Sequence, residues 1–220
     1  MKRMKILHVP CYYHKSVLPV LEKNFSVLSK YDKIGLVSTA QHLNQLESIK
    51  KFIESKGKKV FVGGQILGCS QENILKIEKE VDVFLYVGSG VFHPTGISVK
   101  TEKPVVILNP YSETMEELPS SERERWLRRQ KGRLLKALAA DIYGVLISTK
   151  AGQFDLKKAL EARKLLKDKG KKVFLFAGEE LSPSNLLPFK VDCWVNTACP
   201  RLVDDHFEKP MIDVTELYLT

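Results

Sequence analysis

Two thiols are placed as ligands would be. Cys69 lies in "GQILGCS" (64–70) and Cys199 in "VNTACPRL" (195–202), and each closes a loop that follows a run of apolar residues. Soft thiolates suit zinc or iron–sulfur clusters. Structural zinc sites draw on closely spaced cysteine pairs, whereas these two come singly, about 130 residues apart. A cluster held between two parts of the chain, with one iron incompletely ligated, fits that spacing better. The plainer readings are a tight turn with a half-buried thiol at Cys69 and an inert core thiol at Cys199. At Cys199 the next residue, Pro200, removes a backbone donor, and Arg201 offers a planar fork for an anion. Of the other two cysteines, Cys193 lies inside an apolar run and reads as core filling. Cys11, in "VPCYYHKS", also follows a strand-like run and is either a third ligand or part of a packed loop. No Cys-x-x-Cys pair occurs, and a reducing compartment disfavours disulfides.

Two further loops have the composition of ligand cradles. In "GSGVFHPTG" (88–96), Gly88, Ser89 and Gly90 let backbone amides approach an anion. His93-Pro94 then fixes a side chain beside them, as a ligand or as a structural histidine. The glycine spacing is wrong for a dinucleotide fingerprint, and no helix is expected to follow at once. In "TKAGQFDL" (149–156), Gly152 and Gln153 precede an expected helix N-terminus, which can receive a carboxylate or serve as a plain cap and turn.

The elements that must position these loops occur twice. "KIGLVSTAQHLNQLESIKKFIESKGKKVFVGG" (33–64) parallels "YGVLISTKAGQFDLKKALEARKLLKDKGKKVFLFAG" (143–178). "VDVFLYVGSG" (81–90) parallels "VDCWVNTACP" (191–200), and "EKPVVILN" (102–109) parallels "EKPMIDVT" (208–215), each roughly 110 residues on. The sequence therefore predicts an α/β fold of two similar domains from an internal duplication, residues 1–112 and 113–220. Each copy reads strand, helix, strand, short helix, strand, loop, strand. Near-continuous apolar runs such as "VDVFLYV" and "PVVILN" are strands covered on both faces, hence a mostly parallel sheet flanked by helices. In the helix expected over 153–169, Phe154, Leu156, Leu160, Leu165 and Leu166 share much of one face. "SSERERWLRRQKGRLLKALAA" (120–140) predicts a long helix. In open parallel sheets ligands bind at the carboxyl ends of the strands, where all four loops fall.

Composition excludes less. The 220 residues are 44% hydrophobic with net charge +9, and no run reaches the roughly 18 apolar residues of a membrane helix. Lysines alternate with acids at helical spacing, which is the pattern of solvated helix faces, so no nucleic-acid binding is expected. The basic start "MKRMKILHVP" has too short an apolar stretch for a signal peptide and is expected to be a first strand of a cytoplasmic protein.

Taken together, "GQILGCS", "GSGVFHPTG", "STKAGQ" and "VNTACPRL" resemble, in order, the motifs of the archaeal and eukaryotic diphthamide synthase family, the 2-(3-amino-3-carboxypropyl)histidine synthases. The resemblance covers nearly the whole chain. It implies similar α/β domains, each giving one cysteine to a 4Fe–4S cluster whose unligated iron binds S-adenosylmethionine. Reductive cleavage would yield a 3-amino-3-carboxypropyl radical that adds to a histidine of translation elongation factor 2. By motif, Cys69 and Cys199 would be cluster ligands, with Cys11 or a thiol from another protein as the third. His93, Gly152, Gln153 and Arg201 would surround the same centre. Gly88, Ser89 and Gly90, with Gln153, are inferred to grip the amino-acid part of S-adenosylmethionine. The family has three domains, and this chain resembles the second and third. Either a shortened transferase follows, with this or another acceptor, or a non-catalytic subunit that pairs with a synthase. A homodimer or a complex with another synthase subunit is expected.

Overall fold

In the computed structural model Leu7, Val9, residues 11–68 and residues 70–219 are described; the first strand expected at the start falls largely outside them, as does Cys69. The chain divides into two compact units, Met1–Glu124 and Arg125–Thr220.

In the first unit the apolar runs form β1 (Lys33–Ser38), β2 (Lys59–Gln65), β3 (Val83–Val87) and β4 (Val105–Asn109). These pair in parallel in the order β2-β1-β3-β4. The sequence did not reveal β5 (Thr114–Glu117), which returns antiparallel on β4. Helices α1 (Leu18–Lys23), α2 (Leu46–Ser55), α3 (Glu72–Ile77) and α4 (Phe92–Thr101) complete the unit. Successive residues of β3 feed two separate cores: Val83, Leu85 and Val87 on one face, Phe84 and Tyr86 on the other. That two-sided burial is why the run carries no polar alternation. Each fully buried large aliphatic side chain contributes about 2 kcal/mol of transfer free energy.

The second unit repeats the plan. Strands β6 (Ile142–Ser148), β7 (Lys172–Gly178), β8 (Cys193–Asn196) and β9 (Met211–Asp213) pair in parallel in the order β7-β6-β8-β9. This matches β2-β1-β3-β4 strand for strand. Helix α5 (Ser120–Leu138) leads into this unit, followed by α6 (Leu156–Asp168) and α7 (Pro183–Leu186). The 112/113 boundary expected from the repeat sits in the turn before β5.

The duplication extends to single contacts. Asp82 Oδ2 accepts hydrogen bonds from the Asp32 and Lys33 amides at 3.2 and 2.8 Å, starting β1. Asp192 Oδ2 accepts from the Asp141 and Ile142 amides at 3.1 and 2.8 Å, starting β6. Gly57 and Gly170 end α2 and α6 at φ +80° and +76°, a left-handed conformation that glycine adopts without a side-chain clash.

Two expectations need correction. The loop after β3 is followed at once by a helix, because α4 opens at Phe92 and contains His93 and Pro94; proline in a first turn sacrifices no helical hydrogen bond. In α6 the buried face is Ala159, Ala162 and Leu166, while Phe154, Leu156 and Leu160 are largely exposed. Small Ala159 and Ala162 form much of the face against the sheet, so of the five expected residues only Leu166 is buried and Leu165 partly buried. No described helix is long and apolar enough to cross a membrane.

Candidate functional site

In the second unit, Cys199, Arg201 and Gln153 line one cavity of about 180 Å³, with Ser148, Lys150, Glu179, Leu181, Leu202 and Asp205. It lies at the carboxyl edge of the sheet: Ser148 ends β6, Glu179 follows β7, and Cys199 follows β8. Strand-end loops and chain topology thus bring together residues separated by almost fifty positions in sequence.

The backbone around Cys199 is held by a buried asparagine. Asn196 Nδ2 donates to the Cys199 carbonyl at 2.9 Å, and Asn196 Oδ1 accepts from the Ala198 amide at 3.0 Å. The neighbouring Thr197 hydroxyl donates to the Leu146 carbonyl at 2.6 Å. Cys199 itself is extended and precedes a 3-10 turn, Pro200–Asp204, whose first residue is the proline. Proline there fixes the turn's first φ angle and loses only a donor the turn would leave unused. The thiol is half-exposed. Arg201 reaches Asp205 at 3.6 Å and Asp204 at 4.0 Å, so acidic neighbours orient its fork on the cavity wall.

Gly152 is left-handed at φ +80°. It sets Gln153 in a turn ahead of α6, and the Gln153 amide bonds the Lys150 carbonyl at 3.1 Å. Of the two readings of this helix N-terminus, a carboxylate site or a plain cap and turn, a cap is present: the Asp155 side chain accepts from the Lys158 amide at 2.9 Å. Gln153 lines the cavity, and Asp155 satisfies one of the amides at the helix end. Cys193 is wholly buried in β8, and burial pushes its thiol up to about 12. It is core filling, as its place in the run implied.

In the first unit, Gly88, Ser89, Gly90 and His93 cluster beyond β3. Gly88 is buried, and a Cβ there would meet the Tyr86 hydroxyl at 2.6 Å, so only glycine admits that ring. Ser89 and Gly90 are exposed. His93 stacks on Tyr86 with ring centroids 5.9 Å apart, and its Nδ1 lies 3.5 Å from the Tyr86 hydroxyl. Burial lowers the His93 pKa and raises that of Tyr86 to about 12. The pair is thus neutral near pH 7, able to exchange a hydrogen bond without carrying charge. The loop carrying Gly68 packs on the same helix, since a Cβ at Gly68 would meet the Phe92 ring at 2.7 Å. Leu67 and Ser70 close that turn by reciprocal backbone bonds of 2.9 and 3.2 Å. Cys11 is exposed. Nearby Tyr13 contacts the rings of His42 and Tyr111.

Sequence reasoning missed Tyr86 and Asn196. Tyr86 was hidden in an apolar run. Asn196 carried a signal that went unused: a polar residue inside a buried strand needs partners, and here the partners are the atoms that shape the Cys199 loop.

Comparison with known proteins extends this picture. All of residues 1–220 match the diphthamide synthesis protein family. The chain is 34% identical over 224 residues to the 2-(3-amino-3-carboxypropyl)histidine synthase of Pyrococcus horikoshii, covering 96% of this chain and 64% of that protein. It is 34% identical over 196 residues to the enzyme of the same name from Methanocaldococcus jannaschii, covering 79% and 56%. The crystal structure of Dph2 from Pyrococcus horikoshii superposes with a TM-score of 0.86 at 32% identity, over 94% of this chain and 63% of that one. The same protein crystallised with a 4Fe–4S cluster gives 0.84, over 95% and 64%. The chain thus spans less than two thirds of the length of these relatives. Its fold, its duplicated sheets and its full-length family match agree: this chain belongs to the diphthamide synthesis protein family.

Proposed function

We propose that this chain is an iron–sulfur, S-adenosylmethionine-dependent 3-amino-3-carboxypropyl transferase of the diphthamide type, acting in the cytoplasm on a histidine of translation elongation factor 2. The observation that carries the reading is the convergence of Cys199, Arg201 and Gln153 on one strand-end cavity, in a family whose structural relative is known with a 4Fe–4S cluster. A half-exposed thiol on a cavity wall is within reach of a metal, as the wholly buried Cys193 is not. The residues therefore fit the group. Cys199 and Cys69 would hold the cluster, with Cys11 or a thiol from another chain as the third ligand. The chemistry such a cluster supplies when bound is one-electron reduction of the sulfonium with cleavage of a carbon–sulfur bond.

The chain's own residues bind and orient. Arg201, steered by Asp205, offers paired donors to the substrate's carboxylate, and Gln153 offers an amide beside it. Asn196 fixes the backbone from which the thiol projects. In the first unit, the Gly88–Gly90 loop presents backbone amides, and the neutral His93–Tyr86 pair presents a polar, uncharged edge. The two repeats, taken as residues 1–112 and 113–220, would each contribute one thiol. A second reading is an accessory subunit that supports a longer synthase, with dimerisation or hetero-pairing completing the ligand set.

Anaerobic iron–sulfide reconstitution of the wild type and of the four single Cys→Ala variants tests this. Loss of cluster absorbance in Cys69→Ala and Cys199→Ala, but not Cys193→Ala, is expected. Dithionite reduction with S-adenosylmethionine should then release 5′-methylthioadenosine. Release of 5′-deoxyadenosine instead would refute carboxypropyl transfer, and turnover only with a second synthase subunit would select the accessory reading. Full cluster content in Cys199→Ala would remove the basis of both.

A further inference from the structure

A second, larger cavity of about 310 Å³ lies in the Arg125–Thr220 unit, between one face of α5 and the segment Val203–Met211; Asp205 lines both it and the Cys199 cavity. Arg129, Arg133 and Lys136 project from α5 at i, i+4 and i+7, so all three share a face. His206 and Lys209 stand opposite. Among the described residues Arg129 and Lys136 form no ion pair, whereas Lys209 reaches Glu208 at 3.7 Å.

Arg133 is the unusual member. Its Nε and Nη2 atoms are buried and make no hydrogen bond. The nearest carboxylate oxygen, Glu216 Oε1, is 4.0 Å away and already accepts from Gln130 at 2.7 Å, while Oε2 accepts from the Asp213 amide at 2.9 Å. The guanidinium is held over the Trp126 ring, 6.0 Å from its centroid. A buried, oriented guanidinium with two unused N–H groups is costly unless something accepts from them. A water would satisfy the hydrogen bonds but not the clustered positive charge. Asp204, Asp205 and Glu208 are also on the wall and supply counter-charge, Glu208 being drawn off by Lys209 at 3.7 Å and Asp205 by Arg201 at 3.6 Å. Burial raises the Asp204 pKa against the opposing pull of Arg133, Arg201 and Arg129.

We propose that this cavity is a binding site for a phosphoryl group, gripped by the two free N–H groups of Arg133 and flanked by Arg129 and Lys136. Two parallel donors on a fixed planar fork match two phosphoryl oxygens. The site adjoins the strand-end cavity at Asp205, but Arg129, Arg133 and Lys136 line only this one, and the proposal does not rest on the transferase reading.

Isothermal titration of the full chain with inorganic phosphate and with pyrophosphate, at ionic strength held constant with sodium chloride, tests it. Saturable binding is expected for the wild type. Arg133→Met should weaken it at least about tenfold, the loss of one charge-assisted pair. Asp204→Asn should tighten it, and Cys199→Ala should leave it unchanged. If Arg133→Met proves misfolded by circular dichroism, the exposed positions Arg129→Met and Lys136→Met give the same reading, each weakening binding several-fold. Absence of saturable heat, affinity unmoved by all three basic-residue variants, or equal affinity for succinate would each overturn the proposal.

Discussion

Gly144 lies directly beneath the indole of Trp194, so close that a Cβ on residue 144 would be driven into the six-membered ring. The equivalent pair in the first unit is Gly35 under Phe84, where the added carbon would come within 2.8 Å of the ring. In both units a glycine on an interior strand receives an aromatic from its parallel neighbour, at register positions 144↔194 and 35↔84. The aromatic caps one core of each sheet, and its seat is a missing side chain.

Gly144→Ala should therefore destabilise the protein by about 1–3 kcal/mol, the usual cost of overpacking a dense core. In a Trp194→Leu background the same substitution should cost markedly less, since the ring it meets is gone. Urea unfolding of the four proteins of this cycle measures the coupling; additivity would contradict the steric account.

The paired aspartates give a second expectation. Asp192→Ala leaves the Asp141 and Ile142 amides without their acceptor at the start of β6. Because these groups are near solvent, a loss of about 1 kcal/mol is expected, with Asp192→Asn losing less. Asp82→Ala should do the same for β1. Chemical denaturation reads the loss, and backbone amide exchange should localise it to residues 141 and 142.

Thiol chemistry separates the cysteines. With its thiol pushed up to about 12 by burial, Cys193 should resist iodoacetamide in the folded protein, whereas exposed Cys11 and half-exposed Cys199 should alkylate. Mass spectrometry before and after unfolding checks this. Alkylation of native Cys193 at a rate like that of Cys199 would show that β8 opens freely.

Two histidines should make stability fall in mild acid. His42 and His93 both have pKa values lowered by burial, so the unfolded chain takes up protons first as pH drops. Their contribution is complete above the unfolded value near 6.5, declines below it, and is lost once pH passes the folded values. Melting temperature should therefore fall between pH 7 and pH 5. The fall should be smaller in His42→Gln combined with His93→Gln, when each is referenced to its own value at pH 8.

Much of this molecule follows from local pattern. The duplication, the mostly parallel strands, the helix over 120–138 and the burial of Cys193 are all consequences of apolar runs and repeated landmarks. Those signals survive in one dimension because a strand buried on both faces must be apolar at every position. The alanine face of α6, the hairpin strand β5 and the start of α4 at Phe92 escaped because their cause is the neighbour each one packs on.

The chemistry divides in the same way. Residue type and position after a strand were enough to single out Cys199, Arg201 and Gln153, since parallel sheets gather their strand-end loops at one edge. Only the folded chain decided that these three share a cavity, that Asn196 holds the thiol's backbone and that Asp155 closes the helix end beside them. Likewise only packing leaves two N–H groups of Arg133 buried without an acceptor. Hydrogen bonding and close contact depend on distances across elements far apart in the chain, and those distances exist only once the sheets have formed.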